Sequence, residues 1–185
     1  GDALPSTLMF ASFSPNGTNI AYVHENDLYV QDVRTWKINR LTQKESENFI
    51  NGTFDWVYEE EFGLRKGYRW SPDSRFIAYW QLNTDGMRTF HLINNTESLY
   101  PRLIPIKYPK VGETNPAVRV GVISREGGPT RWLQIPGDSR NHYIAYMEWV
   151  ENPMAVVVQQ LNRLQNQVKV MEVDPVSGKA KTIHE

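Results

Sequence analysis

Apolar and polar residues alternate along most of the chain in short runs, and turn-forming residues separate the runs. "NIAYVHE" (Asn19 to Glu25), "DLYVQDV" (Asp27 to Val33) and "KINRLT" (Lys37 to Thr42) predict three successive strands, split by "END" and "RTW". "GYRWS", "FIAYWQL" and "RTFHLIN" repeat the theme from Gly67 to Asn94. "VRVGVIS" (Val118 to Ser124) and "TRWLQI" (Thr130 to Ile135) flank the turn "REGGP". The last third reads "YIAYMEWV", "MAVVVQQL", "VKVMEVD" and "KAKTIHE", with the turn signal "PVSG" before the final run. β-branched and aromatic residues at period two with regular turns predict an all-β chain.

The runs also repeat at a longer period. "FSPNGTNIAYVHENDLYVQDV" from Phe13 matches "WSPDSRFIAYWQLNTDGMRTFHLIN" from Trp70. The shared core is aromatic-Ser-Pro-Asx, then Ile-Ala-Tyr. A degenerate third copy, "WVENPMAVVVQQLNRLQNQVKVMEV", starts at Trp149. Pro suits the point where a strand ends in a tight turn, because it fixes φ and donates no ladder hydrogen bond. About four short strands per copy in up-and-down order predict part of a β-propeller, about three four-stranded blades, with a sandwich as the runner-up. Three blades do not close a ring, so the chain is expected to be a piece of a larger propeller. The copies start 57 and 79 residues apart, against roughly 40 to 50 for ordinary blades. The first excess is a segment rich in glutamate. The second is "YPRLIPIKYPKVGETNPAV", whose prolines predict an extended edge strand and loop.

Composition narrows the function classes. Of 185 residues, 40% are hydrophobic, enough for a packed core. Twenty basic and 21 acidic residues give a net charge of −1 with no basic block, so nucleic acid is not an expected partner. No apolar run approaches the roughly 18 residues of a membrane-spanning helix. The opening "GDALPSTLMF" lacks a basic and apolar leader pattern and reads as a processed or trimmed start. Without cysteine, disulfides, thiol catalysis and cysteine-ligated metals are excluded. Three Asn-x-Thr triplets, at Asn16, Asn51 and Asn94, matter only in a secretory pathway.

The glutamate segment is the main chemical candidate. "FDWVYEEEFGL" carries apolar residues at Phe54, Val57, Tyr58 and Phe62, near helical spacing. Asp55 is placed to cap a short helix and Gly63 to end it. Side chains one residue apart on a helix differ by about 100°. Two adjacent carboxylates can therefore converge on one point while the third faces elsewhere. A primary ammonium has three donors and one positive charge, so it relieves the repulsion of such a pair. A bare Glu triplet is usually a solvated helix face. Here it interrupts a repeat and is bracketed by aromatics. A divalent-cation loop is less well matched, because no Asp, Asn or Gly follows at the required spacing.

"DWVYEEEF", "WSPD", "IAYWQ" and "YPRLIPIKYPKVGETNP" occur in this order. Together they resemble the N-terminal propeller of the dipeptidyl peptidase IV family of serine peptidases. The Asp-Trp-Val-Tyr-Glu-Glu-Glu string is a hallmark of that family. The similarity covers most of the chain, is strongest from Phe54 to Val118 and weakens after Gly127. The resemblance implies that residues 1–185 are part of an eight-bladed propeller joined to a C-terminal α/β-hydrolase domain absent from this chain. The complete enzyme would release dipeptides from free N-termini, with Pro or Ala second. The second and third glutamates of the string, here Glu60 and Glu61, would bind the substrate's α-ammonium. Glu59 would support them structurally. The pair then acts as a ruler that fixes the cut after residue two. The resemblance further implies an exported protein of the periplasm or cell envelope, a possible homodimer and no cofactor. A propeller arginine that contacts substrate in relatives lies upstream of this segment.

The nucleophile of such enzymes sits in Gly-x-Ser-x-Gly, and this chain has no such string. "GDSRN" from Gly137 lacks the second Gly and reads as a loop. His24, His91, His142 and His184 are isolated, with no metal-ligand spacing. The chain alone is therefore expected to be inactive. Trp70, Tyr79, Trp80, Trp132 and Trp149 are expected to pack between blades. Tyr108, Pro109 and Lys110 could form an oligomer contact or a plain loop, and Arg65, Lys66 and Arg69 could hold Glu59 or be solvated. Two rivals remain open: a related propeller that serves as a non-catalytic interaction scaffold, and a generic sugar- or peptide-binding propeller.

Overall fold

Period-two burial is plainest in the first sheet. A computed structural model of the chain describes residues 7–152 and 154–185. The first six residues of the opening segment and Pro153 of the third repeat lie outside them. Strands β1 (Leu8–Phe13), β2 (Asn19–His24), β3 (Asp27–Asp32) and β4 (Ile38–Arg40) form an antiparallel meander in chain order. In β2, Asn19, Ala21 and Val23 are buried, while the residues between them are half-buried. Glu25 and Asn26 join β2 to β3 with φ of 49° and 65°. That double left-handed turn matches the twist of the flanking strands.

Next along the chain come β5 (Phe49–Asn51), helix α1 (Trp56–Phe62), β6 (Tyr68–Trp70) and β7 (Phe76–Asn83). They are followed by β8 (Thr89–Asn94), β9 (Arg102–Lys107), β10 (Ala117–Ser124) and β11 (Arg131–Trp132). The second sheet runs β11-β10-β7, with β5 and β6 both on the far edge of β7. The third is a meander of β12 (His142–Val150), β13 (Ala155–Asn162), β14 (Val168–Val173) and β15 (Ala180–His184).

The repeat is visible in its turns. Ser14 accepts from the Asn19 amide on its hydroxyl and donates its own amide to the Asn19 carbonyl. Ser71 makes the same two bonds to Phe76. In each copy the serine hydroxyl also donates to the Asx side chain two residues on, Asn16 or Asp73.

One sequence expectation is corrected. "RTFHLIN" is not a strand of the second sheet. Its residues form β8, which pairs only with β9 in a separate two-stranded hairpin. The place beside β7 is taken by β10, which pairs with all eight β7 residues from Asn83 to Phe76. Burial explains the choice: β10 buries Val118, Val120, Val122 and Ile123, whereas the first five residues of β8 are exposed. The excess in the second interval of the repeat thus contains the whole hairpin. The expected strand "TRWLQI" is also shorter, because Gln134 turns its amide to the Gly178 carbonyl in the turn between β14 and β15.

The helix is a closed excursion from one strand. Asn51 pairs with Gln81 and Tyr68 with Tyr79, leaving only Trp80 of β7 between them. The Gly52 amide donates to the Trp80 carbonyl, and the Trp80 amide donates to Gly67 O. The Gly67 amide then closes on Gly52 O at 2.9 Å. Residues 53–66 leave and re-enter the sheet edge at one point.

Two apolar clusters hold the sheets together. Ala21, Val23, Leu28, Ile77, Tyr79 and Ile123 join the first sheet to the second. Trp80, Val120, Ile144, Met147 and Val158 join the second to the third, with Phe54 and Tyr58 of the excursion among them. The expected inter-sheet tryptophans also use their indole N–H groups. Trp70 donates to Ser12 O, Trp80 to Ile144 O and Trp149 to Arg69 O, each across a sheet boundary. A buried indole N–H needs such a partner.

Candidate functional site

Helix α1 is fixed at both ends by its own sequence. Asp55 has extended backbone (φ −87°, ψ 178°), and its side chain accepts from the Tyr58 amide at 3.3 Å. Gly63 closes the C-terminus in the left-handed region at φ 65°. The Gly63 and Leu64 amides both reach back to Tyr58 O, the second at 3.1 Å, and so close the last turn. Both caps match the sequence expectation.

The apolar face sets the rotation of the helix. Val57 and Tyr58 are buried. The Tyr58 ring stacks on Phe54 at 5.5 Å and meets Phe62 at 5.4 Å, and Phe62 in turn meets Tyr143. With that face pinned, Glu60 and Glu61 are exposed and Glu59 is half-buried. Glu59 lines a cavity of about 530 Å³ between α1 and the base of the β8–β9 hairpin, with Asp55, Trp56, Thr89 and Lys107 on its walls. The three carboxylates thus differ in burial, with Glu59 on the cavity wall and Glu60 and Glu61 exposed.

The nearby cations do not neutralise the triplet. Lys66 donates to Ser12 Oγ at 2.8 Å and lies over the Tyr68 ring. Arg69 pairs with Glu148 at 3.2 Å, lies over Trp80 and donates to the carbonyls of Lys66 and Tyr68. The suggestion that Lys66 or Arg69 holds Glu59 is corrected accordingly: their positions in the chain suit Glu59, but nearer partners take their donors. Arg65 is exposed. Among the described residues, no ion pair joins Glu59, Glu60 or Glu61 to a cation.

Asp55 carries a cost. Its residue is 6% exposed, and Oδ2 is buried without a hydrogen-bond partner. Burial raises its pKa from 3.8 to about 6 against the helix amides, which lower it, and Glu59 adds a small upward push. A carboxyl with a raised folded pKa favours the fold while protonated and loses that contribution as pH rises through the folded value. From pH 4 to pH 7 the native state should therefore lose up to about 3 kcal/mol through this group. Asp55→Asn keeps the capping oxygen and removes the titration. Parallel denaturant melts should show the wild type losing stability relative to the variant across that window; identical pH dependence would contradict the assignment.

Two contacts of the site were not visible in sequence. Trp56 packs on Tyr108 with ring centroids 4.2 Å apart, and Tyr108 also meets Phe90. The Pro-rich stretch is thus tied to the helix that bears the glutamates. The Tyr58 hydroxyl also accepts from the Ile144 amide at 3.2 Å in the third sheet. The aromatic spacing around the triplet was the only hint of either.

The four histidines lie on four separate strands. His24 is half-buried in β2 and His91 is exposed in β8. His142 is buried beside Gln160, and burial lowers its pKa. "GDSRN" is loop. Asn51 is fully buried, its amide bonded to Asp27 and Gln81, so the folded chain hides that glycosylation triplet. Among the described residues, no group of three His, Asp or Glu could hold a metal ion.

Several antiparallel sheets, with a glutamate-bearing helix let into the edge of one, define an all-β domain of a recognisable kind. The family model for the dipeptidyl peptidase IV N-terminal region matches residues 2–185, and the chain belongs to that family. A probable dipeptidyl peptidase 4 of Aspergillus clavatus is 36% identical over 186 residues, which span 96% of this chain and 24% of the relative. The mouse protein named inactive dipeptidyl peptidase 10 is 36% identical over 168 residues, 87% of this chain and 21% of the relative. The crystal structure of Porphyromonas gingivalis dipeptidyl peptidase 4 superposes with a TM-score of 0.90 at 30% identity, covering 99% of this chain and 26% of that one. The chain thus spans about a quarter of the length of the relatives it matches.

Proposed function

We propose that this chain is the substrate-gating and N-terminal-ammonium-recognition part of a serine exopeptidase that releases X-Pro or X-Ala dipeptides. One observation carries the reading: Glu60 and Glu61 lie exposed on a helix capped at both ends, and among the described residues no cation pairs with them. Two adjacent carboxylates without an internal cation favour an external one. The α-ammonium of a peptide supplies one charge and three donors. Bound there, it holds the substrate at a fixed distance from the nucleophile, and acylated or longer N-termini lose the anchor. Hydrolysis would be acyl transfer by a Ser-His-Asp triad in a C-terminal α/β-hydrolase domain.

In the same reading the sheets are blades of an eight-bladed propeller. The relatives' greater length supports both the missing blades and the further domain. An exported location follows from the same family reading. The β8–β9 hairpin supports a homodimer, since Phe90, Leu92, Ile93, Leu103 and Ile104 are exposed on it. Charging it with Ile93→Lys and Leu103→Lys in the full-length protein should halve the mass measured by light scattering. An unchanged mass would remove the hairpin from the interface.

The decisive test is turnover of a free X-Pro substrate by full-length Glu60→Gln and Glu61→Gln proteins. A second reading, a non-catalytic scaffold, is favoured by the kinship to a relative named inactive. It predicts no turnover by the wild type and no effect of either substitution on partner binding.

A further inference from the structure

Ile144 is fully buried in β12, the edge strand of the third sheet. An edge strand has amide groups that no neighbouring strand can satisfy. At Ile144 both backbone groups are met by side chains of the second sheet's unit. Its N–H donates to Tyr58 Oη at 3.2 Å, and its carbonyl accepts from Trp80 Nε1 at 3.0 Å. Tyr58 belongs to α1, while Trp80 is the residue on which the excursion closes. The pairing of β12 with β13 shifts register between Ile144 and Tyr146. The bonds thus attach at an irregular point in that strand.

We infer that Tyr58 is a positioning residue for the Glu60–Glu61 pair, anchoring their helix to the third sheet through the Ile144 amide. The inference rests on the ammonium-clamp reading above. The caps fix the helix ends and ring packing fixes the depth of its buried face, but stacked rings can slide. A hydrogen bond to a backbone amide is directional and cannot slide without breaking. Tyr58 is 1% exposed and directly precedes the triplet, so a shift of the helix at Tyr58 carries Glu60 and Glu61 with it. Burial pushes its hydroxyl pKa upward, so the group stays neutral and available as acceptor throughout the working range.

Tyr58→Phe in the full-length protein removes the hydroxyl and keeps the ring stack. The readout is the ratio of kcat/KM for a free-amine X-Pro substrate to that for its des-amino analogue. This ratio reports ammonium recognition and does not depend on the folded fraction. We expect Tyr58→Phe to lower it about threefold to tenfold, mainly through KM of the free-amine substrate, with Glu60→Gln lowering it further. A lower melting temperature with an unchanged ratio would assign Tyr58 a purely structural role and overturn the inference. If Glu60→Gln also left the ratio unchanged, the clamp reading itself would fall, and the Tyr58 inference with it.

Discussion

Glu60→Gln in the full-length protein should reduce kcat/KM for a free X-Pro substrate by about 10- to 100-fold. The estimate comes from the loss of one charge-assisted hydrogen bond, roughly 1.5–3 kcal/mol. Glutamine preserves the size of the side chain and one acceptor oxygen, so helix packing is untouched; Glu60 is exposed, and among the described residues no cation pairs with it. Glu61→Gln should behave alike, because both carboxylates face outward from the same capped turn. The double variant should lose less than the product of the two single losses. Removing one carboxylate also removes the repulsion that the ammonium relieves, so the sites are coupled. Glu59→Gln should matter much less, since Glu59 lines the cavity under the hairpin instead. Full turnover in both single variants would refute the clamp.

Much of this site could be read before the fold was known, and the reasons are local. Asp55, Gly63 and the apolar set Phe54, Val57, Tyr58 and Phe62 act within one or two helical turns, so their spacing carries the information. The Ser-Pro-Asx turns at Ser14 and Ser71 are equally local. What stayed hidden depends on distant neighbours. "RTFHLIN" alternates like any strand, and alternation does not say which strand it will pair with; only the competing burial of β10 decides that. The partners of Lys66 and Arg69, Ser12 and Glu148, lie 54 and 79 residues away. The Tyr58–Ile144 bond spans 86 residues. Charge proximity along the chain was a poor guide because cations adopt whatever partner the packed sheets bring nearest.

The largest stability effect is expected at Gly67. "GYRWS" reads as the start of an ordinary strand, yet Gly67 is where the excursion closes. A Cβ there would lie 2.7 Å from Gly52 C and 2.8 Å from Thr53 N. Both are backbone atoms held by the Gly52–Trp80–Gly67 bonds, so no side-chain rotation relieves the clash. Relief requires opening the Gly67–Gly52 bond and shifting the re-entry of β6. Gly67→Ala should therefore destabilise the protein by about 3 kcal/mol or more, at the upper end of overpacking costs. Gly63→Ala is the matched control. Gly63 has a left-handed φ of 65° but open space around it, so only the conformational cost of about 1 kcal/mol applies. Denaturant melts of the two full-length variants should separate them clearly. The activity of the folded fraction separates them again: moving the closure point moves the whole helix, so Gly67→Ala should also weaken free-amine recognition, whereas Gly63→Ala frays only the last turn. If the two variants were equally stable, the closure would be a loose contact, and the placement of Glu60 and Glu61 would have to rest on the aromatic packing of α1 alone.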